Sequence, residues 1–233
     1  MGEFKGFGKQ ALPFFTALGN HQSREWFIEN RAIYDEEVAA PMTALIDELT
    51  QRFAKAKIPL KGSAKSIFRI NRDIRFSKDK RPYKTHMGAV LTPTGDKTGT
   101  GLLYIHIAPK GSTEWEGSPE GSFVAAGFHQ PTPEALMTIR RAIAKDPKRF
   151  QAMEKELAAK GLSVGREGAM TRMPKGFEEQ KDNPAAEAIR LKSYIAEEAI
   201  PEPLLRKADL VQWIVGFGKR ARPLLDFGWK ALA

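Results

Sequence analysis

The stretch LLYIHIA, residues 102–108, carries a strand pattern that decides the fold class. Its apolar residues Leu103, Ile105 and Ile107 alternate with Tyr104 and His106. Because successive side chains of a β-strand point to opposite faces, one face of this strand is apolar and the other carries the tyrosine and the histidine. The pattern predicts a β-strand that presents a polar face as well as an apolar one.

Three neighbouring segments also have strand-like patterns, and short links join all of them. They are residues 66–76, 85–92 and 122–129. The first alternates, with Phe68, Ile70, Ile74 and Phe76 on one face and polar residues between them. Consecutive strands with short connections favour antiparallel pairing of neighbours in chain order. The sequence therefore predicts an antiparallel meander of about four or more strands.

Helical periodicity occurs on both sides of the predicted sheet. Residues 14–56 contain two or three helices, and further helices begin at Pro133 and Pro147. The remaining helical patterns cover residues 184–199 and 204–229. The order of helices, strands and helices predicts an α+β fold, and the length of 233 residues fits one domain over residues 1–233.

The composition excludes several classes of protein. The chain has no cysteine, which excludes disulfides and thiolate chemistry and fits a reducing compartment. No segment approaches the roughly 18 apolar residues of a membrane span, and the N-terminus lacks the apolar run of a signal peptide. We therefore expect a cytoplasmic protein without a membrane partner.

The net charge of +9 is concentrated in residues 55–84. That segment holds eleven lysines and arginines against Asp73 and Asp79, whereas the rest of the chain carries 26 basic and 26 acidic side chains. A local positive field of this kind attracts phosphates, carboxylates or nucleic acid.

We predict a binding site for a phosphate- or carboxylate-bearing small molecule in this segment. On the predicted strand 66–76, Asp73 shares a face with Arg69 and Arg75 and is placed to hold one of them in a bidentate pair, which leaves the other for a ligand. The opposite face contains Arg72, which must end near solvent or find a buried partner. The turn that follows is restrained by Pro82 and adds more donors. The candidate ligand-binding residues are Arg69, Arg72, Asp73, Arg75, Lys78, Asp79, Lys80, Tyr83 and Lys84.

His106 is the candidate catalytic residue, as an acid or a base. If its strand face is the one that carries Arg69 and Arg75, the imidazole lies beside the bound anion. The alternative is a histidine at the solvent edge of the sheet. The four histidines lie 65, 20 and 23 residues apart, so they do not form the paired helical signature of a metal site. The sequence identifies no metal ligand and no cofactor.

Two other functions use the same basic segment. A nucleic acid is a possible partner, because the segment provides enough charge for a phosphate backbone and Tyr83 or Phe76 could stack on bases. The two acids within the segment and the lack of a recognised nucleic-acid module count against it. In a structural or interaction protein without a ligand, the charges would only order the sheet against acidic helices such as residues 35–37. The sequence does not decide whether the protein is an enzyme.

The sequence also resembles a known family. The residues that carry the resemblance are Glu25-Trp26-Phe27, Phe68-Arg69-Ile70, Arg72-Asp73, 75–80 and 82–84, with weaker agreement at 127–128, 136, 139–140 and 174–177. They resemble the family catalogued as domain of unknown function 2461, a bacterial and fungal set of uncharacterised proteins, over nearly the whole chain. Gly19-Asn20-His21 departs from the family, in which an Asn pair is common here. The resemblance implies a single domain and an important central motif, and it implies no reaction.

Overall fold

The computed structural model describes residues 3–75, 80–112 and 118–233. At its centre is a four-stranded antiparallel sheet in which the strands lie side by side in chain order. The strands are β1 (Met87–Leu91), β2 (Leu102–Ile107), β3 (Phe123–Phe128) and β4 (Tyr194–Ala199). The predicted α+β fold with an antiparallel meander is confirmed.

Helices precede and follow the sheet, as predicted. The helices before it are α1 (Ala11–Asn20), α2 (Arg24–Glu29), α3 (Arg31–Ile33), a π-helical segment (Tyr34–Ala39) and α4 (Ala40–Lys55). The later helices are α5 (Pro133–Lys145), α6 (Pro147–Ala159), α7 (Ala186–Ile189) and α8 (Asp209–Leu232). Short 3-10 helices cover Ala64–Ser66, Glu178–Asp182 and Glu202–Arg206. Among the described residues, no helix combines the length and the apolar composition needed to cross a lipid bilayer.

One face of the sheet forms the core. Leu103, Ile105 and Ile107 of β2 are fully buried on this face, and helix α8 packs across it. The close approach depends on glycine: a Cβ atom at Gly228 of α8 would lie 2.1 Å from the ring of Phe128. Burying a leucine or isoleucine side chain contributes roughly 1.5–3 kcal/mol to stability, so this apolar face fixes which side of the sheet the helices cover.

The segment predicted as the first strand does not form one. Over its described part, residues 66–75, only Ile67 and Asn71 make isolated bridges, to Ala89 and Tyr83. The exposed fraction of Ile74 is 39%, so the apolar side of the expected pattern is not buried as a unit. Pro82, in the opposing segment, has no N–H to donate and limits regular pairing. Residues 67–75 and 80–86 pair irregularly with each other beside β1, and we call these two segments together the basic arm.

The fourth strand lies where helix was predicted. Residues 184–199 contain only the short helix α7, and β4 occupies the end of the segment. Alanine and glutamate favour helix locally, but the exposed edge of β3 offers backbone partners from Phe123 to Phe128. Pairing with β3 outweighs the local preference, because strand formation depends on tertiary neighbours.

Candidate functional site

The second face of the sheet carries a cavity of about 250 Å³. Part of its floor is one row of residues paired across all four strands: Val90, Tyr104, Ala125 and Glu197. Leu102 and Ile195 extend the floor. Because paired strands lie roughly 4.8 Å apart, the row spans about 14 Å from Val90 on β1 to Glu197 on β4.

The basic arm supplies one wall of the cavity through Phe68, Lys84 and His86. The backbone N–H of Phe68 donates to the carbonyl of Gly88, which ties the arm to β1. The ammonium group of Lys84 lies 5.4 Å from the centre of the Phe68 ring, and that of Lys97 lies 5.1 Å from it. Both ammonium groups lie over the Phe68 ring, and of the two lysines Lys84 is the one that lines the cavity. A mostly apolar floor with a few polar groups is typical of small-molecule sites.

Tyr104 is held in place by His106. The Tyr104 hydroxyl and His106 Nδ1 share a hydrogen bond of 3.0 Å, and the His106 ring stacks on Phe123 at a centroid distance of 4.7 Å. The ring of His86 lies 4.4 Å from that of His106. Gly88 provides space for the hydroxyl, since a Cβ atom there would lie 2.7 Å from the Tyr104 oxygen. These contacts fix the position of a phenol on the cavity floor.

Burial keeps the imidazole of His106 neutral. Its exposed fraction is 2%, and burial, with a smaller contribution from His86, lowers the pKa of His106 to about 3. At neutral pH this histidine therefore bonds to Tyr104 as a neutral ring. The predicted role of His106 as an acid or base stays a prediction, and the structure places it behind Tyr104.

Glu197 provides a titratable carboxyl at the β4 end of the floor. Loss of solvent, and secondly the charge of Glu167, raise the pKa of Glu197 to about 7. His129, which follows β3, also lines the cavity, and burial lowers its pKa below the ordinary value. The carboxyl of Glu197 therefore exchanges a proton near neutral pH, whereas the ring of His129 is neutral there.

The predicted cluster of Arg69, Asp73 and Arg75 forms on the protein surface. Arg75 donates to both carboxylate oxygens of Asp73, at 3.0 and 2.8 Å, in the bidentate geometry that we expected for one arginine. Arg69 Nη2 lies 3.9 Å from the same carboxylate. The hydrogen bonds from Arg75 hold the pKa of Asp73 well below its usual range. All three side chains are exposed, so the cluster lies in solvent.

The other candidate ligand-binding residues are dispersed. Tyr83 is buried in the core with its ring 4.6 Å from that of Phe27, and the Lys80 ammonium donates to the carbonyl of Ile74 at 2.8 Å. Arg72 is half-buried, and its backbone N–H donates to the carbonyl of Pro82. Lys78 and Asp79, and also Phe76 of the nucleic-acid alternative, lie outside the described residues. Among the described members of the predicted set, Lys84 alone lines the cavity.

Sequence reasoning missed several cavity residues. His86 and His129 stand at the edges of predicted strands, so their positions could have associated them with His106. No sequence feature pointed to Glu197, because its segment was predicted to be helical. In the parts of the chain that the structure describes, no three histidine or acidic side chains come together in a way that could hold a metal ion.

We expect Asp73→Asn to leave the melting temperature unchanged within error. Its partners Arg69 and Arg75 are exposed, and water and salt screen exposed ion pairs. Thermal unfolding at neutral pH measures this, with Arg140→Met as the destabilising control. Arg140 is buried and donates to the carbonyl of Leu191 at 2.9 Å. A large loss of stability in Asp73→Asn would instead support the structural role of the arm charges.

The structure thus defines an α+β protein whose antiparallel sheet is covered by helices on one face and carries a ligand-sized cavity on the other. The chain belongs to the family described as conserved hypothetical protein (DUF2461), whose model matches residues 10–227 of the 233. This confirms the family that the sequence resembles, and the matched region contains every residue that lines the cavity. No curated protein and no solved structure matches the chain.

Proposed function

We propose that this protein binds an anionic small molecule in the cavity on the sheet, with Lys84 as the residue that contacts the anion. The observation that carries the proposal is that Lys84 lines the cavity and lies over the Phe68 ring, beside an apolar floor. An anion beside the Lys84 ammonium group is stabilised by it, and more strongly at a partly desolvated wall than in bulk water. The cytoplasm is the compartment that we infer for this activity.

The surface cluster of Arg69, Asp73 and Arg75 has a different role in this proposal. Its side chains lie in solvent, where they extend the positive field of the arm beyond the cavity. Such a field raises the rate at which anions reach the site more than it raises their affinity. If the bound molecule reacts, Tyr104 and Glu197 are the groups that would move protons on it, and His106 would position Tyr104.

A comparison of Lys84→Met with Arg75→Met tests the proposed contact. A screen of phosphate- and carboxylate-bearing metabolites by thermal shift identifies a ligand, and calorimetry then gives its dissociation constant. We expect Lys84→Met to weaken binding by about tenfold or more, since charged hydrogen bonds contribute about 1.5–3 kcal/mol. Arg75→Met should weaken it by about threefold at most, because the guanidinium acts from a distance through solvent.

Two results would contradict the proposal. One is a wild-type protein that no anionic metabolite stabilises. The other is a larger loss of affinity in Arg75→Met than in Lys84→Met. That second ranking, together with a steep loss of oligonucleotide binding as salt rises, would support the alternative proposal of a nucleic-acid partner. The observation that favours the alternative is the exposure of cationic side chains along and beside the arm, namely those of Lys65, Arg69, Arg75, Lys80 and Arg81.

A further inference from the structure

We infer that the cavity selects a dipolar ligand, whose anionic group contacts Lys84 and whose protonated amine contacts Glu197. This inference rests on the proposed function and adds a second recognition group to the same site. Lys84 belongs to the arm beside β1, and Glu197 lies on β4, so the two side chains approach the cavity from opposite edges of the sheet. The ligand class is therefore a small molecule that carries an amine at some distance from a carboxylate or phosphate.

The floor between the two charges determines the rest of the ligand. Val90, Ala125, Leu102 and Ile195 provide apolar surface between the two edges, and Tyr104 provides one hydroxyl. Ala125 is directly paired with both Tyr104 and Glu197. Its small side chain leaves space for a ligand above the centre of the floor. An apolar chain can cover this surface while its two ends reach the charged residues. The long row favours a ligand whose charges are separated by several methylene groups over one with adjacent charges.

The surroundings of Glu197 favour a cation. The groups that face it or share the cavity with it are Tyr104 of β2, His129 after β3, Lys84 and His86 of the arm, and Glu167 from the loop after α6. Glu167 adds negative charge, and the ring of His129 is neutral at neutral pH. An ammonium group bound here would offset the repulsion between the two carboxylates. It would also lower the pKa of Glu197, which in the free protein is raised to about 7.

The test compares ε-aminocaproate with hexanoate, which has the same chain length and the same carboxylate but no amine. Both are titrated into the isotope-labelled full chain, and amide chemical shifts give the affinities. We expect ε-aminocaproate to bind about tenfold more tightly than hexanoate at about pH 8, since a charge-assisted hydrogen bond contributes on that scale. γ-Aminobutyrate, which is shorter, should bind more weakly than ε-aminocaproate because it cannot reach both ends.

The dependence on pH identifies Glu197 as the partner of the amine. Only the ionised carboxylate attracts an ammonium group, so binding of ε-aminocaproate should strengthen about tenfold between about pH 6 and about pH 8. Hexanoate should not show this increase. Glu197→Gln should remove both the pH dependence and the preference for the amine. Glu198→Gln is the matched control, because Glu198 is the next residue of β4, points to the other face and pairs with Arg220.

The outcomes separate this inference from the proposed function. If hexanoate binds as tightly as ε-aminocaproate, or if Glu197→Gln keeps the preference, the dipolar inference is wrong. If Lys84→Met then loses binding of both ε-aminocaproate and hexanoate, the proposed contact between Lys84 and the anion is still supported. If Lys84→Met has no effect on either ligand, the proposed function is wrong, whatever the behaviour of Glu197. If none of the three probes binds the wild-type protein, the dipolar inference is overturned, and the metabolite screen alone decides the proposed function.

Discussion

Ala125→Phe is expected to weaken ligand binding at least a hundredfold while the protein remains folded. Ala125 is at the centre of the cavity floor, paired with Tyr104 on one side and Glu197 on the other. A phenyl ring at this position would occupy much of a cavity of about 250 Å³. Two or more ligand contacts would be lost together, and each is worth roughly a factor of ten. Insertion into a packed core usually costs about 1–3 kcal/mol, and the open cavity reduces that cost.

Calorimetry with the ligand found by the metabolite screen measures this loss, and thermal unfolding reports whether the fold is intact. Ala125→Ser is the control, because it changes the same side chain without filling the cavity. It should retain affinity within about threefold of the wild type. A ligand that binds Ala125→Phe as tightly as the wild-type protein lies elsewhere on the molecule, and that result would remove the cavity as the site.

Gly127→Ala is expected to destabilise the protein by about 3 kcal/mol or more, which lowers the melting temperature by roughly 10 °C in a chain of this size. Gly127 has a φ of +137°, a conformation that side chains rarely permit. A Cβ atom there would also lie 2.0 Å from the backbone carbonyl oxygen of Tyr194. Tyr194 is the first residue of β4, which pairs with β3, so the clash would push the two strands apart.

Gly168→Ala separates the clash from the strain of a positive φ. Gly168 has a φ of +67°, and a Cβ atom there would have no atom within 4 Å beyond its chain neighbours. Only the cost of a left-handed conformation remains at this position, about 1–2 kcal/mol. Urea unfolding of both variants gives the comparison. If Gly127→Ala is no less stable than Gly168→Ala, the close contact between β3 and β4 is not a requirement of the fold.

The position of Gly127 also connects stability with the cavity. It is paired with Leu102 and Ile195, two residues of the cavity floor, and contributes no side chain between them. The absent side chain lets β4 approach β3, and β4 carries Glu197. A variant that separates these strands should therefore lose ligand binding along with stability.

Local alternation was sufficient to predict the central strand and its two faces. Leu103, Ile105 and Ile107 form the buried face and Tyr104 and His106 the other, as their spacing indicated. Helices α5 and α6 begin at Pro133 and Pro147, where the sequence predicted them. The capping side chains of Thr132 and Asp146 accept hydrogen bonds from the first turns, so these starts depend only on neighbouring residues.

The same local reasoning was wrong for residues 66–75, the part of the predicted strand that the structure describes. The alternation of Phe68, Ile70 and Ile74 has the period of a strand, but a strand also needs a partner that can donate and accept along its length. Pro82 lacks a donor, and the exposed Arg69, Asp73 and Arg75 remain in solvent. A charge pattern likewise does not show which cation lines a cavity. Lys84 lines the cavity because the basic arm places it beside Phe68.

The amino-acid sequence by itself determined the α+β class, the family and the concentration of positive charge, because each depends on composition or on residues close together in the chain. Only the tertiary structure decided that residues 194–199 form a strand and that Glu197 and Lys84 line one cavity. The reason is that Glu197 pairs with Ala125, and Ala125 with Tyr104, through backbone pairing between distant segments. No local preference encodes such a contact, and here the local preference of the segment pointed to helix.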